Sequence, residues 1–225
     1  AVFSHKATWN KVFKVGSLLA ALSQGYMLGM YVMGFQSTPA AYGFSLLSAF
    51  GVAAAYSYIG ACWLVMKTEG ELQQQAVNWA KKSGWVCFIG VVAVSVVNPA
   101  INPSVFAKWF TWPNMALIAP LPIICFALFV ISDRLLKQLP LPGDKKCWLP
   151  FVNAVAIFIL CFFGLALSFF PYIVPDQLTI WESAAAPESL SFILWGAILV
   201  VPVIISYTAY SYRVFWGKVR ELSYY

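Results

Sequence analysis

Six long apolar stretches, separated by short polar segments, dominate the pattern of hydrophobic and polar positions along this chain. Each stretch is continuous and lacks the alternation of polar and apolar residues that the strands of a transmembrane barrel show. A hydrocarbon layer of about 30 Å needs about 20 helical residues, so each stretch is a candidate membrane span. The six runs are Val12–Phe35, Gly43–Met66, Ser83–Asn98, Asn114–Ser132, Leu149–Phe170 and Leu190–Tyr212.

The pattern predicts an all-α integral membrane protein, a polytopic bundle of about six transmembrane helices. Residues 1–225 are expected to form a single transmembrane domain. The third run is the shortest, and we expect it to take one more turn from Trp79–Lys82. The two lysines of that turn would then extend their charged ends toward water.

Basic residues gather at alternate ends of the runs. The chain has 14 lysines and arginines, and only Lys108 stands apart from the rest. Because loops rich in lysine and arginine stay in the cytoplasm, both termini and the loops after the second and fourth spans are expected there. The remaining basic residues are Lys6, Lys11, Lys14, Lys67, Lys81, Lys82, Arg134, Lys137, Lys145, Lys146, Arg213, Lys218 and Arg220.

Composition excludes several classes of protein. With 61% hydrophobic and 10% charged residues, the chain is too apolar for a soluble domain of this size. The net charge of +6 does not indicate a nucleic-acid partner, because membrane topology explains where the basic residues stand. The five cysteines show no CxxC spacing, so neither structural disulfides nor a zinc site is expected.

Chemistry within the spans is sparse, since no Asp, Glu, Lys, Arg or His lies near the middle of any run. Proton relays and ion-coupling sites are built from such groups. A haem needs axial ligands, and the single histidine, His5, precedes the first run. We therefore expect no cofactor and no metal on this chain. The polar groups in or near the spans are expected to form hydrogen bonds between helices, with the lining of a cavity as the alternative; they are Gln24, Asn98 and Asn153.

Small residues predict where helices approach one another. Gly25 and Gly29 form a GxxxG motif in the first span, and Gly51 with Ala55 forms a related pair in the second. Packing within the chain is favoured for Gly25 and Gly29, with a contact to another subunit as the alternative. Prolines at 120, 122 and 202 suggest kinks, or the broken helices of a transporter.

The segment between the last two spans contains a turn. Thr179 and Glu182 fit a capping box, which predicts a short helix ended by Pro187. Within it, Trp181 is either an interfacial anchor or a contact with a partner subunit. Thr179, Trp181 and Glu182, with Gln24, Gly25 and Gly29, are the candidate interface or packing residues.

Several segments resemble one known family. The stretch Met66–Leu72, MKTEGEL, at the end of the second span resembles the small subunit, subunit II, of cytochrome bd-type quinol oxidases, including the cyanide-insensitive branch. Further matches follow in the family's order and spacing. They are Gly16–Leu19 with Gln24–Gly25, Phe170–Pro171 with Leu178–Trp181, and Tyr207–Tyr212 with Phe215–Lys218.

The resemblance implies a haem-free accessory subunit in the bacterial cytoplasmic membrane. Its partner would be the large subunit, which holds the haems and the quinol site and reduces oxygen. This chain resembles the C-terminal two-thirds of such a subunit, so the acidic residues of the family's proton path, which lie in earlier spans, are not carried over. The family usually has aspartate where this chain has Glu182. A bound quinone or lipid is the remaining candidate ligand, and a small six-helix transporter is the alternative function.

Overall fold

The computed structural model describes residues 6–141 and 146–218. Long helices account for most of these residues, and one short hairpin precedes the last helix. The helices are α1 (Lys6–Val32), α2 (Pro39–Lys67), α3 (Gly70–Ile101), α4 (Pro103–Phe110), α5 (Asn114–Ile118), α6 (Pro120–Gln138), α7 (Leu149–Phe169) and α8 (Pro187–Val214). The hairpin strands are β1 (Tyr172–Val174) and β2 (Leu178–Thr179).

Six segments are long and apolar enough to cross a membrane, which confirms the predicted fold class. Five of them are single helices, namely α1, α2, α3, α7 and α8. The sixth combines α5 and α6 over Asn114–Gln138, where Pro120 opens the second helix. Pro202, in contrast, lies inside α8 without interrupting it.

The predicted third span was wrong in length. Helix α3 has 32 residues and is the longest in the described chain, not the shortest. It begins at Gly70, so Lys81 and Lys82 lie inside a helix and the connection to α2 contains only Thr68 and Glu69. The first turns of α3 carry polar residues on one face, so their mean hydropathy is too low to indicate a span. Their other face packs against the core. The residues that do so are Ala76, Val77 and Ala80, each fully buried.

The core lies between α2, α3, α6 and α7, which form a four-helix bundle. Tyr58 and Cys62 of α2 stand at its centre with Phe129 of α6 and Ile157 of α7. Helix α1 packs along the outer side of α2. A second, smaller cluster joins the end of α1, the start of α2, α4 and the end of α7 around Phe44.

Candidate functional site

The segment predicted to be a short helix is instead a hairpin followed by a turn. β1 and β2 pair antiparallel, with Tyr172 opposite Thr179. The chain then turns at Ile180–Ser183 and runs extended to Pro187. Pro187 is the first residue of α8, so it separates this turn from the last helix.

The hydrogen bonds of the capping box are nevertheless present. The backbone N–H of Thr179 donates to Glu182 Oε2 at 2.9 Å, and the Thr179 hydroxyl donates to the same oxygen at 2.7 Å. In return, the backbone N–H of Glu182 donates to Thr179 Oγ1 at 3.3 Å. These bonds close the turn instead of opening a helix. They also hold the pKa of Glu182 below its ordinary value, chiefly through the backbone N–H of Thr179.

Trp181 projects from this turn and is 66% exposed. Its ring meets the ring of Phe170 edge to face, with centroids 6.1 Å apart. Phe170 caps the C-terminal end of α7 and is itself exposed. The pair forms an aromatic surface that an interfacial anchor or a protein contact can use.

The hairpin is tied to two other parts of the molecule. Gln177 donates a hydrogen bond from its side-chain nitrogen to the carbonyl of Gly34, between α1 and α2. The Ser104 hydroxyl of α4 donates to Asp176 Oδ2 at 2.9 Å. At the same end of the bundle, Trp109 of α4 donates to the Ser168 hydroxyl near the end of α7 at 2.9 Å, so α4 is bound to α7 as well as to the hairpin. We call this end of the bundle the hairpin end.

Gly25 and Gly29 lie against α2 of the same chain. A Cβ built on Gly25 would stand 2.6 Å from the Cα of Ala49, and one on Gly29 would stand 2.4 Å from the Cα of Ser45. Carbon atoms do not approach so closely, so both positions require glycine. The two helices therefore touch backbone to backbone along this seam.

Two of the three polar residues expected to link helices do so. Tyr56 of α2 donates its hydroxyl to Gln24 Oε1 of α1 at 2.9 Å. Asn153 of α7 donates to the Ser132 hydroxyl of α6 at 3.2 Å. Asn98 instead accepts a bond from Asn102, four residues along the chain, at 2.8 Å. The bond lies where α3 ends and α4 begins, so it links neighbouring turns of the chain and not two packed helices.

Helix α8 is attached mainly at one end. None of its side chains is buried within the described part of the molecule. Its C-terminal end meets α2, where Lys67 Nζ donates to the carbonyls of Phe215 at 3.0 Å and Gly217 at 3.1 Å. The ring of Trp63 also packs edge to face against Tyr212. We call this end of the bundle the basic end.

Sequence reasoning missed the role of Lys67, although the residue stands in the segment that suggested a family. Its partners lie 148 and 150 residues away in the sequence, and no local pattern indicates such a contact. The only available signal was a lysine directly at the end of a span. Over the described ranges, no group of three or more His, Cys, Asp or Glu side chains could hold a metal ion.

Comparison with known proteins decides the family. Residues 2–215 match the family model described as cytochrome bd terminal oxidase subunit II. The chain belongs to the cytochrome bd terminal oxidase subunit II family. The match confirms the resemblance seen in the sequence motifs, and it places all six spans within the subunit II family.

Curated relatives agree with this family assignment. The chain is 25% identical over 218 residues to cytochrome bd-I ubiquinol oxidase subunit 2 of Escherichia coli strain K12. The same protein name and identity are found for strains O6:H1 and O157:H7. The match covers 79% of this chain and 55% of the relative, so the chain spans about half the length of the curated relatives it matches.

Proposed function

We propose that this chain acts as a haem-free accessory subunit of a cytochrome bd-type quinol oxidase in an aerobic respiratory chain. The observation that carries the proposal is its membership of the subunit II family across residues 2–215. The single histidine stands at position 5, before the first span, so no span offers the usual axial ligand of a haem. The haems and the quinol site are then expected on a larger partner subunit.

The exposed surface of α8 supports a second chain as partner. Within the described part of the molecule, α8 buries no side chain and is attached to α2 at the basic end. Transmembrane helices associate through close packing, and Gly196 leaves open space around its backbone in the middle of α8. Trp181, six residues before the start of α8 in the sequence, is also exposed and is a second candidate contact.

The proposed location is the bacterial cytoplasmic membrane, with both termini in the cytoplasm. Basic side chains stand at the ends of α2, α6 and α8, as they do in cytoplasmic segments. The hairpin end would then face outward. This orientation presents the turn with Trp181 to the outer surface of the membrane.

Co-purification with the haem-bearing large subunit tests the proposal. The full chain is produced with and without that subunit, extracted in mild detergent and examined by absorbance. We expect a Soret band from the pair and none at stoichiometric intensity from the chain alone. A stoichiometric band from the chain alone would refute the haem-free role. Unchanged haem spectra in membranes with and without the chain would instead favour the transporter.

Substitutions at Trp181 locate the contact. Trp181→Ala should reduce recovery of the haem-bearing subunit, because a tryptophan that becomes buried at an interface contributes about 2 kcal/mol or more to the free energy of binding. Trp181→Phe should largely preserve recovery, since it retains an aromatic ring beside Phe170. Equal recovery for wild type and Trp181→Ala would remove Trp181 from the interface while leaving the haem test intact.

A further inference from the structure

A groove lies between α3 and α6 toward the basic end of the bundle, with a cavity volume of about 230 Å³. Tyr58 of α2 forms part of its floor, beside Gly84 of α3. A Cβ on Gly84 would stand 3.0 Å from the Tyr58 ring, so the absence of a side chain there lets the ring lie against the backbone of α3. The groove is outside the surfaces of α8 and the hairpin described above.

The wall of the groove toward the middle of the membrane is aromatic. Phe88 of α3 is surrounded by Trp85 at 5.9 Å, Phe126 at 5.8 Å and Phe129 at 5.4 Å between ring centroids. Trp85 and Phe126 are exposed on the outer side of the bundle. The groove therefore opens toward the region that lipid chains occupy, and it offers them an apolar lining.

The other wall carries positive charge. Lys81 of α3 and Arg134 of α6 both line the groove, each just beyond the apolar stretch of its helix. Lys137 also lines it but is paired with Asp133 at 2.5 Å. Across the described ranges, neither Lys81 nor Arg134 forms an ion pair, so the groove has two cations without a carboxylate partner.

We propose that the groove binds an anionic phospholipid. The phosphate lies against Lys81 and Arg134, and an acyl chain follows Trp85 and Phe126. Basic pockets between transmembrane helices at the cytoplasmic surface bind anionic headgroups in this way. A neutral quinone would leave both cations without a counter-charge, and a free phosphate ion would leave the aromatic wall unused.

Native mass spectrometry of the full chain tests the site. The purified, delipidated chain is titrated with dioleoyl phosphatidylglycerol and with dioleoyl phosphatidylcholine, which share the same acyl chains. Wild type should prefer the anionic lipid by about tenfold, as expected for two cations near the surface. Lys81→Gln with Arg134→Gln should bring that preference close to one. The matched control is Lys11→Gln with Lys14→Gln, which removes two exposed cations of α1 and should retain the wild-type preference.

Two further arms separate the alternatives. Phe126→Ala should weaken the binding of both lipids severalfold without changing the ratio of their affinities, because it removes part of the apolar wall that both acyl chains use. Inorganic phosphate and a short-chain quinone should not compete with phosphatidylglycerol. Competition by either, no preference in wild type, or an unchanged preference in the Lys81 and Arg134 double variant would each overturn the proposal. Thermal unfolding of every variant in phosphatidylcholine verifies that it is folded.

Discussion

At the scale of single residues, the same amino acid has opposite roles within one helix. Gly29 of α1 lies against the backbone of α2, whereas a Cβ on Gly16, also in α1, would meet nothing within 4 Å. The sequence identified the pair Gly25 and Gly29 by spacing alone. It could not identify the surface they contact, because that depends on which helix lies beside α1.

Alanine substitutions in α1 should separate these roles. Gly29→Ala places a carbon 2.4 Å from the Cα of Ser45, so the helices must move apart. We expect a loss of about 1–3 kcal/mol in the free energy of unfolding. Gly16→Ala is the matched control and should be neutral or stabilise by up to about 1 kcal/mol, since alanine favours helix. Equal unfolding midpoints for the two variants in detergent would contradict the close approach at Gly29.

The turn at Glu182 should depend on acidity. Its folded pKa is below the ordinary 4.5, so the carboxylate stabilises the turn at every pH above that ordinary value. The contribution is lost as the pH falls below 4.5 and through the folded pKa, because a protonated carboxyl no longer accepts both bonds from Thr179. Amide hydrogen exchange at Thr179, after correction for intrinsic rates, should therefore accelerate at acidic pH. Glu182→Gln should remove this dependence, and a pH-dependent response in that variant would argue against the assignment.

At the scale of elements, apolar runs located every span but defined the polar ends poorly. Hydropathy recognised α3 only from Ser83, although the helix begins at Gly70, because buried Ala76 and Ala80 alternate with polar positions. Likewise, the capping motif at Thr179 predicted correct hydrogen bonds but the wrong element. Such local patterns identify partners within four residues, whereas strand pairing and helix packing depend on distant parts of the chain.

The attachment of α8 is a contact of that distant kind. Lys67 donates to the carbonyl groups of Phe215 and Gly217, which directly follow α8, and so holds the end of that helix against α2. Lys67→Met retains the apolar stem but removes the donors. Amide exchange at residues 211–218 should then accelerate by up to about tenfold, because a hydrogen bond from a charged group contributes about 1.5 kcal/mol. Lys67→Arg retains donors and should exchange nearly as wild type does; equal exchange in the methionine variant would show that α8 is held by other contacts.

At the scale of the whole molecule, basic side chains from distant parts of the chain stand at the same end of the bundle. Lys67 joins the ends of α2 and α8, while Arg134 and Lys137 stand at the end of α6. Six crossings would return the chain to the side from which it started, in the orientation proposed above. The order of the spans was therefore predictable from sequence. Their side-by-side packing was not, since an apolar surface does not indicate which neighbour will cover it.

Removing charge from one loop tests whether charge or packing sets this orientation. Arg134, Lys137, Lys145 and Lys146 precede the fifth span, and Lys145 lies outside the described residues. Replacing all four with glutamine should weaken cytoplasmic retention of the loop, because retention depends on nearby lysine and arginine. A cysteine at the exposed position Gln138, in a background without the five native cysteines, reports the side of the membrane. Labelling of intact cells by an impermeant maleimide should therefore rise.

Lys108→Gln provides the control for this experiment. It removes the one basic residue expected on the outer side, so it should reinforce the original orientation and leave position 138 unlabelled. Packing offers a competing source of orientation, because α6 contacts α3 and α7 in the described bundle. If the fourfold variant also stays unlabelled, those contacts are sufficient to hold the loop in place. If it is labelled while Lys108→Gln is not, charge governs the side on which the loop lies, and the contacts of α6 with α3 and α7 are not sufficient to hold it there.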